Sequence, residues 1–419
     1  MLRLTDDQKK MYEGGYGPGV RKAMSMLVEY GNAFGARRMI KVDSVHTFNN
    51  DPLEFLNLML DGVNEVRVFS SLHAVYAPAT RWARAMGIRP DVVEREGKLQ
   101  EQKVKVFQKV GFLQTYTCVP YLSSNMLRRG MLYSWPGSSG IIIGNSLFGA
   151  MANRDAGPAA LSSAITGFTP EMLLNIPANR YAELVVRIEG LDMEKLSAAD
   201  YGALGYYIGS VAESKKVAVL GIPKSASFEK LKYFLSPFPV SGAVSLCHIV
   251  GVTPEAPTLK AALGDHRPEE TIRIGKKEME EGYHRLNTAE GDRVDAVGFG
   301  CPHCTISEIK RIAQLLDEKK IKEGVRFWVA TADAIYPLAK RMGYVDTIEK
   351  AGGLVVTDMC IMGFPFALME VPAKTAATDS ARAAHYQARG GAAGGVGVGV
   401  FYGSVDQCVA AAIKGKWGG

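Results

Sequence analysis

Six cysteines stand at positions 118, 247, 301, 304, 360 and 408. Three of them sit where chemistry would want them. Cys118 lies in Thr115-Tyr116-Thr117-Cys118-Val119-Pro120-Tyr121, Cys301 opens Cys301-Pro302-His303-Cys304, and Cys360 closes Thr357-Asp358-Met359-Cys360. Each falls in a turn or at the end of a β-rich run, and in α/β folds the C-terminal ends of strands face the ligand crevice. Three thiolates converging there could hold an iron–sulfur cluster and leave an iron open as a Lewis acid for a departing hydroxyl. Their separation along the chain carries no metal-ligand signature, so buried structural thiols remain the competing reading. Without a signal peptide, a disulfide framework is not expected.

Cys301-Pro302-His303-Cys304 also has a second reading. A Cys-x-x-Cys pair ahead of the helical stretch Ile306 to Leu316 is the setting of a thiol–disulfide oxidoreductase, in which a helix N-terminus lowers a thiol pKa. Such domains are small and exported, whereas this pair lies deep in a chain without an export signal. A zinc ribbon would need a second close cysteine pair, and none is present.

Three polar segments could supply a pocket. Gly144-Asn145-Ser146 and Asn153-Arg154 follow the apolar Ile141 to Ile143, and Arg154 could fork onto a carboxylate. Capping of a helix start explains the same residues. His248 rides a strand, followed by a turn bearing Thr253 and Glu255; a lone histidine on an apolar strand also reads as a satisfied core residue. Thr378-Asp379-Ser380-Ala381-Arg382-Ala383-Ala384-His385 places hydroxyl, cation and imidazole on one segment, which a capped helix start would equally produce.

The elements that must position these residues are alternating β-rich runs and helical stretches. Thr5 to Glu13 reads as a helix broken at Gly14-Gly15, and Val20 to Tyr30 as its successor. The runs Arg38–Val42, Glu65–Phe69, Leu184–Ile188, Val217–Gly221, Ala296–Gly300, Arg326–Ala330 and Gly353–Thr357 read as strands, many followed by helix. That cadence predicts α/β layers with largely parallel sheets. The charged stretch 256–295 reads as a surface helix, and the Gly-rich 390–403, lacking the Gly-Lys-Ser/Thr ending of a phosphate loop, as a close-packed strand.

A chain of 419 residues, 47% hydrophobic and 22% charged, has the balance of a globular protein of two or three lobes. Two are expected: 1–214 with the first cluster cysteine, and 215–419 with the other two. No uninterrupted apolar run of about 18 residues suggests a membrane span, and the acidic N-terminus lacks a signal core, so a cytoplasmic location is expected. The net charge of +6 fits an anionic small substrate without requiring one. There is no Lys/Arg stripe with interleaved aromatics, so no nucleic acid partner is expected.

Taken together and in order, these segments resemble the catalytic domain of the aconitase X family, a branch of the aconitase superfamily. The resemblance runs almost end to end, through Glu13-Gly14-Gly15-Tyr16-Gly17, His46, Thr117-Cys118-Val119-Pro120-Tyr121, Asn145-Ser146, Asn153-Arg154 and Ala164-Ile165-Thr166-Gly167. It continues through His248-Ile249-Val250-Gly251-Val252-Thr253-Pro254-Glu255, Gly300-Cys301-Pro302-His303, Asp358-Met359-Cys360 and Thr378 to Tyr386. It implies a multi-lobed aconitase-like fold and an iron–sulfur cluster on Cys118, Cys301 and Cys360, with Cys247, Cys304 and Cys408 structural. It implies a dehydratase acting on a small hydroxy acid such as mevalonate 5-phosphate or cis-3-hydroxy-L-proline. By position it implies catalytic Ser146, His248 and Ser380, and substrate-binding Asn145, Arg154, Thr253 and Glu255. A non-catalytic subunit retaining the fold is a further possibility.

Two positions depart from the family pattern. Gly137 in Trp135-Pro136-Gly137-Ser138-Ser139 stands where the family carries an acid, and Met151-Ala152 stand where it carries Arg and Thr. The resemblance therefore leaves the substrate open. Family members also carry a small swivel domain, fused or separate. The chain stops soon after the last motif, so a separate swivel-domain subunit is expected.

Overall fold

The computed structural model describes residues 2–75, 82–361, 366–391 and 395–418. Among them the strands form four sheets, three of them wholly parallel. This is the α/β layering with largely parallel sheets expected from the sequence.

The largest sheet has the spatial order Leu354–Val356, Arg326–Thr331, Ala296–Cys304, Thr375–Thr378, Gly399–Tyr402. In chain order this is 3-2-1-4-5, so the winding reverses between Ala296–Cys304 and Thr375–Thr378. At such a switch point the strand ends part and open a crevice. The central strand is buried along its whole length, as a strand covered on both faces must be. Its crossover helix, Ile306–Leu316, starts at Thr305, whose hydroxyl caps the Glu308 N–H while the Glu308 carboxylate returns to the Thr305 N–H.

The second sheet that matters is smaller: Ser70–Leu72, Ser44–Thr47, Tyr133–Ser134, in chain order 2-1-3 and again parallel. Here too the central strand comes first and its C-terminal end is a switch point. A four-stranded parallel sheet, Cys247–Ile249, Val217–Leu220, Leu184–Ile188, Glu270–Ile274, packs beside them. It joins strands on both sides of position 214, so the sheets do not divide the chain at the expected 214/215 boundary. An antiparallel pair, Met39–Lys41 with Phe168–Pro170, completes the set.

Several elements differ from expectation. Val66 and Val68 pack against the N-terminal core, while pairing passes to Ser70–Leu72. The charged stretch 256–295 contains the strand Glu270–Ile274 as well as the helix Lys276–Leu286. Of the Gly-rich segment, only Gly399–Tyr402 is strand, and 392–394 lie outside the described residues. The strand Ala296–Cys304 runs on through the Cys-x-x-Cys pair, so Cys304 ends a strand, and Thr305 starts the helix.

Candidate active site

The C-terminal ends of the two switch-point sheets face each other across a cavity of about 180 Å³. The small sheet contributes Phe48 after Ser44–Thr47, His73 after Ser70–Leu72, and Pro136 to Ser139 after Tyr133–Ser134. The large sheet contributes Gly300, Cys301 and Pro302 from its central strand, Cys360 from beyond Leu354–Val356, and Arg382 and Tyr386 from the helix Ala381–Gln387. Cys118 and Arg154 complete the wall. Three cysteines from three separate segments thus line one cavity.

Each cysteine is placed by a specific backbone feature. Gly300 has φ +105°, and a Cβ there would stand 2.3 Å from the Ala330 carbonyl oxygen, so only glycine allows the irregularity that interrupts the register with Arg326–Thr331 before Cys304. Asp358, at φ +70°, turns the chain between Leu354–Val356 and Cys360. Ser380 caps the helix Ala381–Gln387 by accepting from the Ala383 N–H at 3.1 Å and donates its hydroxyl to the Cys301 carbonyl.

All six cysteines are buried and none is in a disulfide. Burial pushes the Cys118 thiol up to about 12, with neighbouring Cys301 adding to the shift and the His303 N–H, Lys232 and Arg382 opposing it. Burial likewise pushes Cys301 up to about 12, opposed first by Arg382. Cys247, Cys304 and Cys408 sit within apolar cores, away from the cavity. Cys304 therefore lies in the core behind the sheet while Cys301 packs with Ala74, Cys360 and Ala383. Burial raises both thiols, the reverse of what a thiol–disulfide oxidoreductase needs.

The cavity's charge is positive. Arg382 is buried, donating to the Ser236 carbonyl at 3.3 Å and the Ser138 hydroxyl at 3.0 Å, with its guanidinium over the Tyr386 ring. Arg154 reaches in from a more exposed position and donates to the Pro239 carbonyl at 3.4 Å. Among the described residues neither has a carboxylate partner. Burial lowers the Arg154 pKa, Tyr386 opposes this, and the like charge of Arg382 lowers it further. Beneath the Cys301 segment, fully buried Lys232 donates to the His303 carbonyl at 3.2 Å and pairs with Glu308 at 2.5 Å.

His73 shares this wall. Its Nδ1 lies 3.1 Å from the Ala74 carbonyl, which can only accept, so Nε2 carries the lone pair. Burial pulls its pKa down to about 4. Gly137 packs against the ring: a Cβ there would meet His73 Cδ2 at 3.1 Å.

The remaining sequence candidates gather elsewhere, around Arg180. Glu255 forks onto Arg180 at 2.8 and 2.6 Å. Asn145 accepts from Arg180 and the Ala152 N–H and donates to the Ala152 and Ser245 carbonyls. Ser146 accepts from the Cys247 N–H, Thr253 accepts from the Ile249 N–H, and His248 Nε2 lies 2.7 Å from the Arg180 carbonyl. Of the candidates, the cavity brings together Cys118, Cys301, Cys360 and Arg154, with Ser380 bonded to the Cys301 backbone. Asn145, Ser146, His248, Thr253 and Glu255 do not line it.

Phe48, His73, Ser138, Ser139 and Tyr386 line the cavity but were not among the candidates, and Arg382, which also lines it, was read only as the cation of its segment. Arg382 and Tyr386 share the segment of Ser380, and the two serines follow Trp135-Pro136-Gly137. His73 had only its place after a short strand to mark it.

Facing parallel-sheet ends around a three-thiol cavity define the class, and the chain belongs to the aconitase X family. The family's first-, second- and third-domain models match residues 1–176, 182–284 and 294–414. The phosphomevalonate dehydratase large subunit of Methanothermobacter thermautotrophicus is 36% identical over 390 residues, 91% of this chain and 93% of that one. The cis-3-hydroxy-L-proline dehydratase of Hypocrea jecorina is 31% identical over 99% of this chain and 69% of its own length. The crystal structure of Thermococcus kodakaraensis aconitase X in its holo form superposes with a TM-score of 0.84 at 27% identity, covering 98% of this chain and 100% of that one.

Proposed function

We propose that this chain is the catalytic large subunit of a cytoplasmic iron–sulfur hydro-lyase that removes water from a small anionic hydroxy acid of the mevalonate 5-phosphate type. The observation that carries this reading is three buried thiols from three segments lining one cavity, together with two guanidiniums that have no carboxylate partner among the described residues.

The donor set fits the cluster. Among the described residues no three His, Cys, Asp or Glu stand close enough to share one metal ion. The cysteines instead ring a volume, as ligands that each hold a different iron must. The surrounding cations suit an anionic group, and loading it would release the thiol protons. When bound, such a cluster supplies a Lewis-acidic iron for the leaving hydroxyl.

The chain's own residues do the rest. Arg154 and Arg382 hold the substrate's anionic groups. The Ser138 and Ser139 hydroxyls orient it, and the His73 imidazole lines the opposite wall. Arg382, Ser138 and Ser139 are buried, and exclusion of water on that side strengthens the contacts they make. Ser380 acts through the Cys301 backbone. The knot of Asn145, Ser146, His248, Thr253 and Glu255 holds the four-stranded sheet against the segment leading to Arg154.

Two cations suit a substrate with phosphate and carboxylate better than a zwitterionic hydroxyproline. The similarity to a phosphomevalonate dehydratase large subunit over 93% of its length supports the same choice and a small-subunit partner. The test is to reconstitute the chain anaerobically with a co-expressed small swivel-domain subunit and assay mevalonate 5-phosphate and cis-3-hydroxy-L-proline. Dehydration of the phosphate, dependent on iron and on the small subunit, is expected. Turnover of hydroxyproline alone would overturn the substrate assignment. Turnover of neither, by a complex with full iron, would make this a non-catalytic subunit.

A further inference from the structure

His303 is fully buried, and its hydrogen-bonding groups reach all three cysteine segments. It lies two residues beyond Cys301. Its backbone N–H donates to Cys118 Sγ at 3.2 Å. Its ring Nε2 lies 2.8 Å from the Met359 carbonyl, one residue before Cys360, and its Nδ1 lies 3.1 Å from the hydroxyl of Thr117, one residue before Cys118. A carbonyl only accepts, so Nε2 carries the proton and Nδ1 takes the Thr117 hydroxyl proton. Thr117 Oγ1 in turn accepts from the Val119 N–H at 3.1 Å, which leaves that hydroxyl's proton for the imidazole.

The network continues on both sides. The His303 carbonyl is held by Lys232, whose pairing with Glu308 anchors it to the helix Ile306–Leu316. The Thr117 carbonyl lies 2.9 Å from Nε2 of buried His46, whose Nδ1 lies 2.8 Å from the Ser71 hydroxyl. The Cys118 segment is thus fastened to the small sheet through His46 and to the large sheet through His303. A buried histidine that only satisfied local polarity would not need partners on both of the other two cysteine segments.

We propose that His303 is a positioning residue that sets the spacing of Cys118, Cys301 and Cys360 and thereby the retention of the metal group they hold. The second half rests on the cluster assignment proposed above; the first half does not. Hydrogen-bond partners that orient metal ligands are worth roughly 10- to 100-fold in metal affinity.

The experiment uses the full chain as wild type, His303→Leu, Thr117→Val and Thr117→Ser. In cluster-free protein, alkylation of each cysteine is followed by mass spectrometry. His303→Leu should speed labelling of Cys118 and Cys360 severalfold while leaving Cys247 and Cys408 at wild-type rates. Thr117→Val should do so more weakly, and Thr117→Ser should restore the wild-type pattern. After anaerobic reconstitution, His303→Leu should lose iron to a chelator roughly 10- to 100-fold faster, with Thr117→Ser again close to wild type. Wild-type rates in both His303→Leu and Thr117→Val would overturn the proposal, and so would equal acceleration at all six cysteines, which marks general loosening. Should His303→Leu fail to fold, the Thr117→Val and Thr117→Ser pair decides. Selective labelling in a chain that binds no iron even as wild type would keep the positioning role and overturn the cluster assignment.

Discussion

Arg382 is the buried cation of the cavity, and its fork is already aimed by the Ser236 carbonyl and the Ser138 hydroxyl. A guanidinium held in this way is ready for an anion without losing further side-chain freedom. Replacing it with Gln removes charge-assisted hydrogen bonds of about 1.5–3 kcal/mol. The expected result is a rise in KM of roughly ten- to a hundredfold with iron content unchanged; an unchanged KM would remove Arg382 from substrate binding. Asp155, next to Arg154, gives a second prediction. Burial pushes its carboxyl up to about 7, against hydrogen bonds from Ser134 at 2.7 Å and Tyr30 at 3.4 Å. Folding therefore favours the neutral acid, a contribution fully present below the ordinary carboxylate range and lost as pH rises through about 7. Wild type should accordingly lose about 2–3 kcal/mol of unfolding free energy relative to Asp155→Asn between pH 5 and pH 8. Urea unfolding at both pH values measures this, and parallel pH dependence in the two proteins would show that Asp155 stays ionised.

At the scale of elements, two switch points aimed at each other make the site. The strand orders 3-2-1-4-5 and 2-1-3 each put the central strand first, so both sheets part where their C-terminal ends meet. Gly300 is the most exposed to test among the elements' joints. Gly300→Ala forces a Cβ against the Ala330 carbonyl at positive φ. It should cost about 1–3 kcal/mol and lower iron loading by shifting Cys301; wild-type stability and loading together would contradict that role. Much of this framework was legible. Leu184–Ile188 is a β-branched run that a buried parallel strand requires, and Ile306–Leu316 carries its own capping signal, so both were read at their observed bounds. Glu65–Phe69 was not, because its valines serve the core while small serines do the pairing in Ser70–Leu72. Placement in turns or at strand ends marked Cys118, Cys301 and Cys360 but left buried structural thiols as an equal reading, and the family resemblance, not the spacing, singled the three out. The polar knot around Arg180 was harder: Asn145, Thr253 and Glu255 satisfy backbone and guanidinium groups, and side chains that serve the backbone are the same types that serve a ligand. His73 went unread because a single histidine after a short strand has no distinguishing pattern.

For the whole molecule, layers and lineage agree. The match to three successive aconitase X domains and the superposition on a holo aconitase X give the frame. Among the described residues no helix is long and apolar enough to cross a membrane. Arg154 also lines a second, wider groove with Tyr30, Phe34, Leu173 and Tyr181, so the cavity is not sealed on that side by this chain's described residues. That open side is where the proposed small-subunit partner would close the cavity. The central claim is narrower than turnover: three particular cysteines, and not the other three, hold an iron–sulfur cluster. Iron and acid-labile sulfide bound per chain after anaerobic reconstitution measure it directly, in wild type and in each of the six Cys→Ser variants. The account predicts stoichiometric cluster in wild type, its loss in Cys118→Ser, Cys301→Ser and Cys360→Ser, and its retention in Cys247→Ser, Cys304→Ser and Cys408→Ser. Equal loss in Cys301→Ser and Cys304→Ser, or full loading without any one of the triad, would contradict it.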